Sequence, residues 1–380
     1  MLEFLDFSVL RLCWWLLIGV LWTGFAIMDG HDLGVGALLL IVARKDEERR
    51  VLINSIAPHW DGNQVWLITA AGAMFAVWPI VYATIFSGLY IALLAMLWTI
   101  FLRAPAFDYR SKIEKPQWRY GWDKIIFLAS VSTPIILGVA AGNLFLGLPF
   151  NIDQNISVYY QGNILQLFTP YPLLAGLLGL FMILAQGASY IMVRSEKMIY
   201  SRAKKSLLIC AFFTIICFIA IMLWTMQLPG FVINNIDING ASNPFAKTVV
   251  IQAHGWAKNY INYPIIMIAP IMVVLSFLSA IISSKFNRSL LAFISTSVGI
   301  AFIIISFGCL LFPFLVPSSV NPNLSLTVWD STSSYHTLLL SLISAAIFVP
   351  IIFIYTSWVF RIMRGKLTEQ KIKDNSKTYY

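Results

Sequence analysis

Three aspartates, Asp29, Asp32 and Asp61, lie inside segments that otherwise have the composition of membrane-spanning helices. A carboxylate at the centre of a bilayer costs roughly 2.5–3.5 kcal/mol on insertion scales, so such residues are rare and usually functional. Their type and placement predict either a path for protons or ions, or a polar contact with a partner subunit.

The spacing of the aspartates favours a proton relay. Asp29 and Asp32 are three residues apart, so a helix places them on one face. Counting about 1.5 Å of rise per residue from the basic segment at residues 44–50, Asp32 and Asp61 lie at similar depths on adjacent antiparallel spans. A structural alternative remains open, in which these carboxylates only bind neighbours such as His59 and fix the packing.

Two further side chains near the aspartates have candidate roles. Arg103 ends the third predicted span, where it either reaches the lipid headgroups or pairs with a carboxylate at a cytoplasmic proton entrance. Trp60 adjoins Asp61 at mid-depth and, together with His59, is a candidate wall for a quinone pocket or a subunit interface.

The chain has four histidines and four cysteines, and neither set has the spacing of a metal site. His31 and His59 lie beside the buried aspartates, so haem ligation is conceivable, but no pattern requires it. His254 and His336 fall in or near predicted outer loops. We therefore expect no catalytic residue and no metal ligand in this chain.

The composition is that of a polytopic membrane protein, with 59% hydrophobic and 11% charged residues, against about 25% charged residues in soluble domains. Nine apolar stretches can cross a core of about 30 Å. The predicted fold class is an all-α bundle of nine transmembrane helices in a single integral membrane domain, residues 1–380. The predicted spans lie near residues 9–28, 52–76, 82–102, 123–147, 165–193, 206–226, 264–284, 289–316 and 335–360.

The placement of lysine and arginine predicts the orientation of this bundle. Basic residues cluster in alternate loops and in the tail, which puts the amino terminus outside and the carboxyl terminus in the cytoplasm. These clusters lie at residues 44–50, 103–124, 194–205, 285–288 and 361–377. The net charge of +9 thus reflects topology and contact with anionic lipids, and nucleic acid is not an expected partner. The first ten residues lack the basic region of a signal peptide, so we expect none to be removed.

Long motifs resemble subunit II of the bacterial cytochrome bd ubiquinol oxidases. The resemblance runs in order over essentially the whole chain. It is carried by MDGHDLGVGALL at residues 28–39, NSIAPHWDGNQVWLITAAGAMFAVWP at 54–79, FLRAPAFDYRSKIE at 101–114, GNLFLGLPFN at 142–151, ASNPFAK at 241–247, FPFLVPSS at 312–319, NLSLTVWDSTSS at 323–334 and the final Tyr379 and Tyr380.

The resemblance implies a complex of two related nine-helix subunits in the bacterial cytoplasmic membrane that oxidises quinol and reduces O2 to water. Subunit I is expected to carry the quinol-oxidising loop and the ligands of haem b and haem d. This chain would be the second subunit, without haem ligands of its own, and could hold a ubiquinone with a structural role. The expected partners are subunit I, a small single-helix accessory subunit, quinol, O2 and lipids.

Residue by residue, the resemblance places Asp29, Asp32, Asp61 and Arg103 on the family's path for cytoplasmic protons toward the oxygen-reducing haem. His31 occupies a position where a relative has an apolar aromatic residue, so it is not expected to be essential.

The expected function is that of a second oxidase subunit that stabilises subunit I and conducts protons. The alternatives are a proton-coupled secondary transporter, with the aspartates as coupling carboxylates, and a purely structural scaffold.

Overall fold

The computed structural model describes residues 5–363, 365–368 and 370. Part of the predicted basic tail and the two terminal tyrosines therefore lie outside the described residues: Arg364, Lys371, Lys373, Lys377, Tyr379 and Tyr380.

The described chain is built from twelve α-helices and three short antiparallel hairpins. The helices are α1 (Phe7–Val42), α2 (Asp46–Ile56), α3 (Trp60–Val77), α4 (Pro79–Gly88), α5 (Tyr90–Arg110), α6 (Pro116–Leu146), α7 (Pro170–Arg194), α8 (Lys197–Gln227), α9 (Lys258–Asn262), α10 (Ile268–Lys285), α11 (Ser289–Leu311) and α12 (Tyr335–Ile362). The hairpins pair β1 (Phe150–Ile152) with β2 (Val158–Tyr160), β3 (Gly230–Asn235) with β4 (Thr248–Gln252), and β5 (Phe314–Val316) with β6 (Leu326–Thr327).

Eight of the described helices are long and apolar enough to cross a membrane, which confirms a polytopic all-α fold. They are α1, α5, α6, α7, α8, α10 with the turn before it, α11 and α12. Most of the second predicted span is formed by α3. The first turns of α3 carry Asp61, Asn63 and Gln64, so this helix is more polar than the eight above. The inside and outside assignment stays a prediction.

Two boundaries differ from the prediction in ways that matter for the aspartates. The first helix does not end near residue 28 but continues to Val42, so Asp29 and Asp32 lie in an unbroken helix. The predicted span at 52–76 is instead two helices, because the chain turns at residues 57–59 between α2 and α3. The predicted span at 82–102 likewise crosses a break at Leu89 between α4 and α5.

Helix α7 lies at the centre of the bundle, where it packs against α1, α6, α8 and α11. Most of its apolar segment is buried, as expected for a helix surrounded by others. At the other extreme, α12 contacts α1 and α3 and has few fully buried residues, so much of its apolar surface is exposed. An apolar helix of this kind faces lipid or another subunit.

Helices α1 and α7 meet at a pair of glycines. A Cβ atom added to Gly34 would lie 2.7 Å from the Cα atom of Gly187, and one added to Gly187 would overlap the backbone of Gly34. Small residues allow such close backbone approach between membrane helices. This contact fixes the distance between α1, which carries the aspartates, and the central helix.

The loops on the predicted outer side are fastened to α1 by buried charges. Arg11 donates hydrogen bonds to the Ile238 carbonyl at 2.7 Å and to the Thr332 hydroxyl at 3.1 Å. Nearby, the Lys247 ammonium lies 2.6 Å from Asp330 Oδ2. Burial lowers the pKa of Lys247, although Asp330 opposes this shift by stabilising the charged form. These contacts join the loops that follow α8 and α11 to the start of the first helix.

Replacing Gly187 by alanine should destabilise the bundle, because the new methyl group overlaps the backbone of α1. We expect a loss of about 1–3 kcal/mol, as for other overpacked sites, measured as a lower thermal unfolding midpoint of the purified protein in detergent. Gly72→Ala on α3 is the control, since nothing lies within 4 Å of its added Cβ, and it should be neutral or slightly stabilising. Equal midpoints for the two variants would contradict the close contact.

Candidate functional site

Asp29 and Asp32 project from one face of α1 into the interior of the bundle, and both are fully buried. The helix is continuous around them and holds its backbone groups in hydrogen bonds, so only the carboxylates need partners. A buried charge without a partner is strongly destabilising. Asp29 and Asp32 meet this requirement with different partners.

Asp29 forms an ion pair with Arg103 of α5. Arg103 Nη1 lies 3.0 Å from Asp29 Oδ1 and 3.2 Å from Oδ2, and both side chains are almost completely buried. The guanidinium group also faces the ring of Trp60, with 5.6 Å between its central carbon and the ring centroid, a favourable cation–π distance. Of the alternatives for Arg103, the structure therefore places it against a carboxylate rather than among lipid headgroups.

Asp32 is surrounded by neutral or titratable groups. Its Oδ2 atom accepts a hydrogen bond of 2.7 Å from the side-chain amide of Asn63. Its Oδ1 atom lies 3.2 Å from His31 Nε2 and 3.5 Å from His59 Nδ1. Within residues 5–363, no lysine or arginine lies within ion-pair distance of this carboxylate. Its charge can be neutralised by a proton, taken up by the carboxylate itself or by either imidazole.

The outer nitrogens of both histidines are tied to backbone carbonyls, which fixes how the rings can be protonated. His31 Nδ1 lies 3.1 Å from the Ile27 carbonyl, and His59 Nε2 lies 3.1 Å from the Ser55 carbonyl. Because a carbonyl only accepts, a hydrogen on each of these nitrogens satisfies the contact. In this tautomer a neutral ring directs a lone pair at Asp32, and a proton placed there makes the histidine cationic. The arrangement is suited to accept one proton.

Tyr190 extends this cluster toward the predicted inner side. Its hydroxyl lies 3.0 Å from His59 Nε2 and donates a hydrogen bond of 3.0 Å to the Ser55 carbonyl. Nothing in the spacing of the sequence pointed to Tyr190, because it lies 131 positions from His59. It reaches the cluster because the glycine contact between α1 and α7 brings the two helices together.

Asp61 does not join the buried pair, contrary to the expectation that the three carboxylates share an environment. The turn at residues 57–59 starts a new helix at Trp60 and directs Asp61 to the surface of the chain. It lies in the first turn of α3, where the helix dipole favours a negative charge. Among the described residues, no hydrogen bond or ion pair holds its side chain.

Two ionic networks at the predicted inner ends of the helices were not anticipated. Glu48 accepts hydrogen bonds from both terminal nitrogens of Arg202, at 2.8 and 2.9 Å. Asp123 is buried and binds Arg110 at 2.6 Å, while Asp46 bridges Arg110 and Arg119. The only signal in the sequence was the density of charge in the inner loops, which cannot specify partners.

A large apolar cavity lies between the helices, toward the predicted outer half. Its volume is about 1640 Å³, and its lining includes Gly19 and Trp22. Neither Trp60 nor His59 lines it. Trp60 instead packs against Phe107, with ring centroids 5.2 Å apart.

Residues 10–363 match the family described as "Cytochrome bd terminal oxidase subunit II". The chain belongs to this family. Among its relatives, "Cytochrome bd-I ubiquinol oxidase subunit 2" of Escherichia coli K12 is 45% identical over 99% of this chain and 100% of the relative. "Probable cytochrome oxidase subunit 2" of Haemophilus influenzae is 41% identical over 99% of this chain and 100% of its own length.

The fold also agrees with a solved structure. A chain from the structure of bd oxidase from Geobacillus thermodenitrificans superposes with a TM-score of 0.69 at 14% identity, covering 93% of this chain and 98% of that chain. At this identity the likeness concerns the fold alone.

Membership of the bd oxidase subunit II family, with eight apolar helices, makes this chain a multi-pass protein of the bacterial inner membrane. A cytochrome bd oxidase carries haem, and a second subunit implies a subunit I as partner. The expectation of an oxidase subunit is confirmed, and the transporter alternative is not favoured.

The histidines of this subunit II chain do not fit as haem ligands. His31 is packed against Tyr190 at 4.3 Å, Phe360 at 5.6 Å and Phe293 at 6.0 Å between ring centroids, which leaves no space for a porphyrin. His59 is enclosed by the same Tyr190 and Phe360. The other two histidines are on the surface.

Glu48→Gln should destabilise subunit II in a pH-dependent way. Burial opposes ionisation, but the hydrogen bonds from Arg202 and from the backbone lower the pKa of Glu48 from 4.5 to about 2. Its stabilising contribution is thus complete above about pH 4.5 and disappears as the pH falls toward 2. We expect the variant to lose more than about 1.5 kcal/mol at pH 7.

The measurement is the thermal unfolding midpoint of the purified complex between pH 7 and pH 3, with Glu47→Gln as the control in the same helical turn. A difference between Glu48→Gln and the unmodified protein that stays constant below pH 4 would contradict the ionic contact.

Proposed function

We propose that this chain is the second subunit of a quinol:O2 oxidoreductase and forms one integral membrane domain that carries protons but ligates no haem. The family membership supports the complex, and the packing of His31 and His59 supports the absence of haem ligands. In this assignment haem b and haem d, the quinol-oxidising loop and O2 reduction belong to subunit I. The second subunit contributes stability and a route for protons.

The buried cluster around Asp32 is the observation that carries the proton route. It combines a carboxylate, two imidazoles and a phenol within hydrogen-bonding range, and no lysine or arginine among residues 5–363 forms an ion pair with its carboxylate. Such groups exchange protons readily when they are linked by hydrogen bonds. A proton from the predicted inner side would pass from Tyr190 and His59 to Asp32.

Asp29 lies one helical turn further along α1 and forms the next group on the proposed route. Arg103 compensates its charge, which allows the carboxylate to be buried. Two nitrogens of Arg103, Nε and Nη2, have no hydrogen-bond partner among the described residues, and they are suited to bind water beside Asp29. Water at this place would connect Asp29 to the proton path.

We propose that Asp61 lies at the contact with subunit I and belongs to the same path for protons. Its carboxylate is exposed on this chain although it belongs to a membrane-embedded helix, and exposure to lipid would be costly. The neighbouring helix α12 packs against α3 and presents a largely exposed apolar surface. A partner subunit that covers both features would bury the apolar surface and could offer a polar partner to Asp61.

The apolar cavity is the proposed place for a structural quinone. Its lining is almost entirely apolar, which suits an isoprenoid chain. A small accessory subunit and bound lipids are also expected, since several apolar helix surfaces remain exposed.

Asp29→Asn and Asp61→Asn should lower turnover while leaving assembly intact. We expect oxygen consumption by the purified complex to fall roughly 10-fold or more, because a well-placed proton carrier contributes ~10²–10⁴ in proton transfer. Asp108→Asn is the matched control, since Asp108 is exposed on α5 and lies off the route.

Haem content and subunit stoichiometry decide whether the aspartates relay protons or only form a structural network. Unchanged oxygen consumption with full haem content would exclude the relay. Loss of haem or of subunit I in the same variants would instead favour a structural network.

Gly19→Leu should displace a quinone from the cavity without affecting the proton route. Gly19 lines the cavity and has nothing within 4 Å of an added Cβ, so leucine fills space that the quinone would need. Quinone extracted from the purified complex should fall below half of its original amount per haem. Gly121→Leu, at an equally open position outside the cavity, should retain it, and equal quinone content in both variants would place the quinone elsewhere.

A further inference from the structure

Three buried atoms from separate side chains converge on one point between α1 and the turn before α3. They are His31 Nε2, Asp32 Oδ1 and His59 Nδ1, and all lie within 4.8 Å of one another. Neither His31 Nε2 nor Asp32 Oδ1 has a hydrogen-bond partner in the described part of the chain. Buried polar atoms without partners are uncommon in folded proteins and call for an explanation.

The protonation of the two rings explains why these atoms need a cation. The Ile27 and Ser55 carbonyls hold the hydrogens on the outer nitrogens, so the inner nitrogens direct lone pairs at a negatively charged oxygen. These lone pairs and the carboxylate repel one another unless a positive charge lies between them. A proton satisfies this requirement, and so does a metal ion.

Two of the three distances between the candidate ligand atoms match those of a metal site. Zn²⁺ binds imidazole nitrogen and carboxylate oxygen at ~2.0–2.2 Å, so the ligands of a tetrahedral site lie roughly 3.3–3.5 Å apart. The distances from Asp32 Oδ1 are 3.2 Å to His31 Nε2 and 3.5 Å to His59 Nδ1. The outer nitrogens bound to carbonyls are also the arrangement that orients metal-ligating histidines.

We propose that His31, Asp32 and His59 form a binding site for a divalent metal ion of the zinc class. Asn63 supports it by donating to Asp32 Oδ2, and its second contact, 3.0 Å to His59 Nδ1, gives way when the metal binds. The turn at His59 adjoins the exposed Pro58 and Asp61.

Occupancy would inhibit the enzyme, a consequence that rests on the proposed function. A metal ion coordinated by Asp32 and His59 removes the groups that would otherwise accept the proton. Binding itself does not depend on the proton route and can be measured separately.

The first test is equilibrium dialysis of the purified complex against radioactive Zn²⁺, after removal of bound metals with a chelator. His31→Phe should lose one tight site, with zinc affinity falling at least ~100-fold. This loss exceeds the ~10–100-fold expected when a residue that only supports a metal ligand is replaced. Phenylalanine suits the position because three aromatic rings surround it. His336→Gln, which removes a surface histidine, should retain all sites.

The same number and affinity of tight sites in His31→Phe and the unmodified complex would overturn the proposal. If His31→Phe fails to assemble, X-ray absorption at the zinc edge of the unmodified complex decides. Two imidazoles and an oxygen at ~2.0–2.2 Å would support the site, and a zinc shell without histidine would refute it.

Oxygen consumption separates this proposal from the proton route. Zinc should lower the oxygen consumption of the unmodified complex, and it should change that of His31→Phe far less when each protein is compared with its own zinc-free rate. The two proposals can fail separately. If Asp29→Asn has low activity and the unmodified complex binds no zinc, the proposed proton route still stands and only the metal site is rejected.

Discussion

Burying carboxylates inside an apolar helix bundle is the constraint on which the rest of this structure depends. In such surroundings an ionised group is tolerated only when an opposite charge or hydrogen-bond donors meet it. Asp29 meets this condition with Arg103, a permanent cation. Asp32 meets it with groups that can each take up or release a proton. Asp29 therefore has a partner of fixed charge, whereas the charge of the groups around Asp32 can change.

The position of these partners depends on how closely the helices approach one another. Gly34 and Gly187 bring α1 against α7, and this contact delivers Tyr190 to the same cluster. The turn before α3 delivers His59 and Asn63. Because helices α1, α3 and α7 carry every member of the cluster except His59, most of its distances are held by packing over the whole bundle. Positioning of this kind suits a proton carrier, which needs short and constant donor–acceptor distances.

Charge at the two ends of the bundle is organised differently from charge in the middle. On the predicted inner side, Glu48, Asp46 and Asp123 bind arginines in networks that join α2, α5, α6 and α8. On the predicted outer side, Arg11 and the pair of Lys247 with Asp330 fasten the loops. These contacts stabilise the ends of the helices. The buried polar groups between them are therefore not needed to hold the helices together and can take part in proton transfer.

Sequence patterns predict the fold class, the approximate spans, the family and the pair of carboxylates on one face of α1. Each of these follows from local composition, helical periodicity or long motifs. The three-dimensional packing was needed to show that Arg103 pairs with Asp29, that Asp61 lies on the surface, and that Tyr190 and His31 join the cluster. The turn at residues 57–59 redirects Asp61, and a periodicity argument that assumes one continuous helix cannot detect it. Partners far apart in sequence depend on how helices cross, which arises from packing among all of them at once.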